Sequence, residues 1–252
     1  MDQEDMGEFS GKSVLITGAA GGFGRVLTSK LLEAGANIVL GDLNEAALAE
    51  LAASLPGRIA WMRCDVTVEA DQKALVDLAV ATYGRLDIAI NNAGGTSPMK
   101  SFLDTTEQDL DRNFALNAKS IFLGMKHQIA AMIDGGGGSI MNVASVAGIA
   151  GAPKNVAYGA AKHAVIGMTR TAAVEFARSN VRVNAVCPYF SLTPLVTQSN
   201  LIERKKQMEA AVPMKRLAEP EEVASAILAL VSPSNSYLTG QAVAIDGGLT
   251  AF

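Results

Sequence analysis

Histidine and cysteine are scarce in this chain of 252 residues, two of each, and that scarcity closes off several kinds of chemistry. No pairing of His127, His163, Cys64 and Cys187 has metal-ligand spacing, so neither a structural nor a catalytic zinc site is expected. A disulfide would be out of place in a reducing compartment, and both cysteines read as small core hydrophobes. A surplus of positive charge is also missing. The net charge is −4, and the densest basic run, Arg204-Lys205-Lys206, is flanked by Glu203 and Glu209 and reads as a solvated helix face. That excludes nucleic acid as an expected partner. No stretch reaches the ~20 uninterrupted apolar residues of a membrane span. The acidic start, Met1 to Asp5, is followed by no apolar segment and cannot serve as a secretory signal. No long linker or solenoid repeat divides the chain. The expectation is a cytoplasmic protein without a membrane partner, with one domain over residues 9–252 behind a flexible acidic tail, 1–8.

What is present is apolar bulk, 49% of the residues, enough for a large core. Short runs rich in β-branched residues recur: Val14-Leu15-Ile16, Ile38-Val39-Leu40, Ile59 to Met62, Ile88-Ala89-Ile90, Ile140 to Val143, Val181 to Val186 and Ala242 to Ile245. Between them lie segments of helical periodicity, such as Leu27, Leu31 and Leu32, or Leu48, Leu51 and Leu55. Strands without clean alternation, separated by helices, imply a parallel sheet covered on both faces. Seven of them make a single-domain, doubly wound α/β sheet of Rossmann-like type. Residues 188–213 break the rhythm with a loop and short helix, the form of a substrate lid.

Strand one runs into Thr17-Gly18-Ala19-Ala20-Gly21-Gly22-Phe23-Gly24 and then into a helix expected to start near Arg25. Glycines placed between a strand and a helix let the backbone approach a pyrophosphate, and the helix N-terminus offers it free amides. Gly11-Lys12-Ser13 and residues 135–138 are the other phosphate-loop candidates. The first lacks an upstream glycine and the second a following Lys-Ser/Thr pair, so both read as ordinary loop. Asp42, at the end of strand two, is placed to accept from both adenosine ribose hydroxyls and to repel a 2′-phosphate. Leu43 follows, with no arginine there for that phosphate. NAD is therefore favoured over NADP. Asp42 as N-cap of the next helix is compatible with that role.

Tyr158 and Lys162 are four apart in a helical segment and share a face. A free phenol titrates near ~10, and a neighbouring ammonium is expected to lower that value toward useful acid/base strength. With Thr17 to Gly24, Asp65-Val66, Asn91-Asn-Ala-Gly94, Asn117, Ser145, Tyr158-Gly-Ala-Ala-Lys162, Arg182-Val-Asn-Ala185, Thr239-Gly240 and Asp246-Gly-Gly248 in this order, the chain resembles the short-chain dehydrogenase/reductase family over nearly its whole length.

The resemblance implies an NAD-dependent oxidoreductase interconverting a secondary alcohol and a ketone. Tyr158 would exchange the proton with the substrate oxygen, Ser145 would hydrogen-bond that oxygen, and Lys162 would also hold the nicotinamide ribose. Asn117 would support a proton-relaying water, with Asn113, one turn away, as a rival. The cofactor would be lined by Gly18, Gly22, Phe23, Gly24, Asp42, Leu43, Asp65, Val66, Asn92, Ala93, Gly94, Tyr158, Lys162, Pro188, Ser191 and Thr193. The small-molecule substrate would meet Ser145, Tyr158, Gly95, Thr96, Tyr189, Phe190 and Leu195. The family implies a homotetramer, through the apolar helices around 106–133 and 155–178. Tyr189 departs from the family, standing where glycine usually follows the proline. With Phe190, Leu192, Leu195 and Val196 it makes the lid apolar, which points to a hydrophobic or ring-containing substrate, unless these side chains only pack the lid down. No arginine is obviously placed to clamp a carboxylate. The alternatives are an NADPH-type carbonyl or 3-oxoacyl-thioester reductase and a catalytically silent, cofactor-sensing scaffold.

Overall fold

The computed structural model describes residues 7–96, 98–197 and 200–251, with Leu195 and Asn200 described by their backbone alone. Seven strands form one parallel sheet: β1 (Ser13–Thr17), β2 (Asn37–Asp42), β3 (Ile59–Arg63), β4 (Ile88–Asn91), β5 (Gly138–Val143), β6 (Val181–Pro188) and β7 (Ala242–Ile245). Their order is β3-β2-β1-β4-β5-β6-β7. Because both faces are covered, strand residues point alternately into two cores, and each strand reads as an apolar run rather than an alternating one.

On one face Val14, Ile16, Ile38, Leu40 and Ile90 pack against three helices: α1 (Gly22–Glu33), α2 (Glu45–Ser54) and, from later in the chain, the helix of residues Pro220–Val231. On the other, Leu15, Val39, Ala89, Ile140 and Val183 meet α3 (Glu69–Tyr83) and two longer helices. The first of these is a composite: α4 (Glu107–Phe114), a π-helical turn (Ala115–Lys119) and α5 (Ser120–Asp134). The second is α6 (Val156–Phe176). The lid holds α7 (Pro194–Thr197) and α8 (Lys205–Ala211), and α9 (Pro220–Val231) returns to the first face.

After β3 the chain crosses the sheet to place β4 beside β1. The connections therefore diverge at the carboxyl ends of β1 and β4, where open α/β sheets form their ligand crevice. Three expectations need correction. Helix α1 begins at Gly22, three residues before Arg25, so the last two glycines of the loop are its first turn. The apolar helix of residues 106–133 is interrupted by the π-helical turn. The tail of residues 1–8 is not free at its end: the Glu8 carboxylate accepts from the hydroxyls of Ser232 and Ser234. Residues 1–6 lie outside the described residues.

The lid has a small core of its own. Val196, Met208 and Leu217 are buried, and Tyr189, Phe190, Leu192 and Leu201 pack against them. The lid is pinned to the domain where the Leu192 N–H donates to Ala218 O at 3.0 Å.

Candidate active site

The end of β1 is clamped to the end of β4 by their own polar atoms. Thr17 Oγ1 accepts from the N–H groups of Asn92 and Ala93, both at 3.1 Å. Asn92 Nδ2 donates to Thr17 O at 3.0 Å and Gly18 O at 2.9 Å. Gly24 has no room for a side chain, since a Cβ there would sit 2.4 Å from Gly18 O and 2.6 Å from Ala19 Cα. At Gly22 a Cβ would lie 2.7 Å from Thr193 Cβ, so the lid rests on the glycine loop itself. Among the described residues no side chain caps the N-terminus of α1, and its first turn holds no acidic residue. Its first amides and the positive end of its dipole are left for an anion.

Asp42 closes this pocket from β2. Its carboxylate accepts from the Ala20 N–H at 3.0 Å and from the Asn44 N–H at 2.9 Å. It is not the N-cap of α2. Asn44 is, accepting from the Ala47 N–H at 3.1 Å, because the cap must directly precede the first turn. Leu43 is exposed. Asp65 is held by the N–H and hydroxyl of Thr67, which keep its carboxyl below the ordinary range, and Val66 beside it is buried.

Ser191, just past β6, has a buried hydroxyl without a hydrogen-bond partner among the described residues. Such a group is costly to leave unpaired. A donor-acceptor group entering from the cleft would satisfy it, as the carboxamide of a nicotinamide can. With the uncapped helix end and Asp42, the residues present fit a nicotinamide dinucleotide laid across the switch point.

Four side chains meet beyond β4 and β5. Asn117 sits in the π-helical turn and is buried. It exchanges two hydrogen bonds with Gly95, accepting from its N–H at 3.1 Å and donating to its carbonyl at 3.0 Å. A π-turn swings one residue out of helical phase, and such turns favour functional positions. The rival, Asn113, instead donates to Asp109 O at 2.8 Å. Thr96 is exposed beside Gly95. Ser145 follows β5 in extended conformation and accepts from the Ala147 N–H at 3.2 Å. The Tyr158 hydroxyl lies close enough to Ser145 for the serine to pull its pKa down. Lys162 is buried, its Nζ donating to Val143 O at 2.8 Å and lying 5.6 Å from the centre of the Tyr158 ring.

The electrostatics differ from expectation. Burial pushes the Tyr158 phenol up, more than Ser145 pulls it down. Burial also draws Lys162 down to about 8. Desolvation opposes charge on both groups, raising the phenol and lowering the ammonium.

Sequence reasoning missed the polar layer beneath these residues. Asn91 donates to Gln128 at 3.0 Å and to Asn142 at 2.9 Å, and Asn142 donates to Thr169 at 2.9 Å. Gln72 joins the carbonyls of Val66 and Ser120 at 3.1 and 3.0 Å. All five side chains are buried. They tie β4 and β5 to α5 and α6, fixing the helices that carry Asn117 and Lys162. The available signal was polar residues on faces that should be apolar. His127 and His163 stay outside the site, bonded to Glu69 and Gly159 O, and Cys64 and Cys187 are buried and free. Tyr189 and Phe190, at 4.9 Å between ring centres, pack in the lid core. They also line a cleft of about 110 Å³ with Val212, Met214, Ile245 and Gly247. The Leu195 side chain lies outside the described residues.

The arrangement joins a glycine-loop cleft to a buried tyrosine, serine and lysine, and the chain has relatives among known proteins. A family model described as enoyl-(acyl carrier protein) reductase matches residues 18–250. The chain is 38% identical over 249 residues to a 2,5-dichloro-2,5-cyclohexadiene-1,4-diol dehydrogenase of Sphingobium indicum, covering 98% of this chain and 100% of the relative. It is 39% identical, with the same coverage, to a cis-4-hydroxycyclohexanecarboxylate dehydrogenase of Sinomonas cyclohexanicum. Among solved structures, levodione reductase superimposes with a TM-score of 0.91 at 31% identity, over 96% of this chain and 99% of that one. The chain belongs to the short-chain dehydrogenase/reductase family. It is an oxidoreductase acting on CH–OH donors with a nicotinamide cofactor.

Proposed function

We propose that the protein is an NAD-dependent dehydrogenase of a secondary alcohol borne on a hydrophobic ring, with Tyr158 as its acid/base. The observation that carries this is the buried Lys162 ammonium, held by Val143 O at 2.8 Å and 5.6 Å from the Tyr158 ring, with Ser145 beside the phenol. A nicotinamide bound in the cleft supplies the hydride acceptor for oxidation or the hydride donor for reduction.

The rest falls to the chain. Tyr158 takes the hydroxyl proton as the alcohol becomes a ketone and returns it in the reverse direction. Ser145 holds the substrate oxygen by a hydrogen bond. Lys162 holds the ribose hydroxyls and stabilises the phenolate formed transiently, while Asn117 supports a water through which the proton reaches solvent. Gly18, Gly22, Phe23 and Gly24 take the pyrophosphate. Asp65, Val66, Asn92, Ala93 and Gly94 line the adenine and central parts of the cleft, and Pro188, Ser191 and Thr193 the nicotinamide end. Gly95, Thr96, Tyr189, Phe190 and Leu195 border the substrate.

NAD is favoured by Asp42, a carboxylate already fixed by two amides at the ribose position, with the exposed Leu43 beside it. A ring-bearing substrate is favoured by the two related dehydrogenases, one of a dichlorocyclohexadienediol and one of a hydroxycyclohexanecarboxylate, and by the aromatic lid. Apolar side chains exposed on the α4–α5 face, Leu110, Phe114 and Phe122 among them, favour a homotetramer. Among the described residues no helix is long and apolar enough to cross a membrane, and a cytoplasmic location fits a nicotinamide-using enzyme.

The test is a 340 nm assay on aliphatic, aryl-alkyl, cyclic and thioester-linked alcohols and ketones with each cofactor. Turnover of cyclic alcohols, at least tenfold better with NAD, is the expected result. Turnover confined to thioester-linked ketones with NADPH would overturn the reading.

A further inference from the structure

Arg204 closes the short turn Asn200–Arg204 of the lid. Its guanidinium reaches across to Met99 Sδ, in the loop that leaves β4. Its charge is also felt by Tyr189, immediately after β6, where it opposes the upward push of burial on the phenol. In the sheet, β5 lies between β4 and β6, and Ser145 emerges just past its carboxyl end. A side chain that bridges the lid to the loop leaving β4, the loop that carries Gly95 and Thr96, therefore stands on the carboxyl-end rim of the sheet to which Ser145 also belongs.

Three cations of the lid and its surroundings have acidic partners. Lys100 pairs with Asp109 at 2.6 Å, Lys205 with Glu209 at 3.7 Å and Arg216 with Glu222 at 2.6 Å. Arg204 has no carboxylate partner among the described residues. A thioether is a weak acceptor, while a guanidinium carries five N–H donors in a fork that matches a carboxylate or sulfonate. The lid thus offers the rim a cation whose donors are not engaged by an anion, on the same segment as the aromatic pair Tyr189 and Phe190.

We infer that Arg204 recognises an anionic group, a carboxylate or sulfonate, carried on the substrate ring away from the reacting alcohol. This rests on the ring-alcohol reading above. It also accords with the hydroxycyclohexanecarboxylate named for one relative. The expectation that no arginine is placed for a carboxylate is thereby revised. Arg204 looked like part of a solvated basic run because its contact with the β4 loop is a tertiary feature.

The experiment compares wild type, Arg204→Ala and Arg204→Lys on cyclohexanol and on cis-4-hydroxycyclohexanecarboxylate. Binding of cyclohexanecarboxylate to the NADH complex is measured in parallel, by the fluorescence of the bound NADH. The ratio of kcat/KM for the carboxylate over the neutral alcohol should fall about tenfold or more in Arg204→Ala, through KM, the scale of a charge-assisted hydrogen bond. Arg204→Lys should recover only part, since an ammonium cannot form the bidentate pair. Cyclohexanecarboxylate binding should weaken by a similar factor. An unchanged ratio with unchanged binding overturns the inference. So does Arg204-dependent turnover of a 3-oxoacyl thioester without any carboxylate preference, which would assign the guanidinium to a carrier phosphate. If neither alcohol is turned over while carboxylate binding still depends on Arg204, the subsite stands and the ring-alcohol reading fails.

Discussion

Lys162 carries an ammonium into a place with little water, and its pKa of about 8 against an ordinary 10.5 records what that costs. Burial is the main cause, with Cys187 opposing it weakly. The folded value lies below the unfolded one. Between about pH 8 and 10.5 the unfolded chain therefore holds a proton that the folded chain has lost, and stability from this group rises with pH there. Below pH 8 both states hold the proton, and the cost of the buried charge is present in full. Replacing Lys162 with Met fills the space without the charge but leaves Val143 O unpaired. Thermal unfolding should therefore show the variant at its best, relative to wild type, near pH 7. The wild type should gain on it steadily from pH 8 to 10.5. A stability difference independent of pH over that range would show that the lysine is not a strained charge. The cofactor-binding end makes the same point about residues and context. Asp42 was legible from its position, but that Asn44 and not Asp42 caps α2 depends on where the helix begins, a matter of one turn.

Helix α1 is packed so closely onto the glycine loop that its third residue decides whether the element can sit there. A Cβ at Gly24 would meet backbone atoms of Gly18 and Ala19 at 2.4 to 2.6 Å, and backbone cannot rotate aside. Gly24→Ala should cost about 1–3 kcal/mol, the range for overpacking. That is a loss of several degrees in Tm at about 2–4 °C per kcal/mol for a chain of this size. NADH affinity should fall by at least tenfold, because the amides of the first turn move with the helix. Wild-type Tm together with wild-type affinity would contradict the packing argument. The strands and most helices were readable because runs such as Val14 to Ile16 and spacings such as Leu27 with Leu31 are local signals. The π-helical turn was not. Ala115 to Lys119 keeps the apolar spacing of a helix, and only the shifted hydrogen bonds, which aim Asn117 at Gly95, distinguish it. Nor were the lid contacts readable, since Tyr189 and Phe190 choose between substrate and lid core by packing that no local pattern encodes.

At the scale of the whole molecule, seven parallel strands point their carboxyl ends the same way, so every loop with a chemical group opens on one edge. That polarity brings Gly18, Asp42, Asn92, Ser145 and Ser191 from five different strands to a common rim. The helix pair that completes the site is aligned from below by Asn91, Gln128, Asn142 and Thr169. The convergence of Asn117, Ser145, Tyr158 and Lys162 was legible as an expected set, because their order along the chain follows the order of the elements. The amide layer was not, since a polar residue in a core segment gives no sign of its partner until the elements are packed. Arg204 belongs to the same class: its neighbours in sequence are charged, while its contact in space is Met99 of the loop that leaves β4.

The central claim is that Tyr158 moves the proton, and its removal tests that claim most directly. The measurement is kcat/KM against pH for oxidation of a cyclic secondary alcohol by wild type and Tyr158→Phe, with NADH affinity recorded alongside. Since burial raises the Tyr158 phenol, and oxidation needs it deprotonated, wild-type activity should climb with pH into the alkaline range. Tyr158→Phe should bind NADH within about twofold of wild type. Its turnover should be at least 10²-fold lower, the scale of a lost acid/base group, and without the alkaline rise. Retained turnover with the same rise would place the acid/base function on another residue and contradict the account.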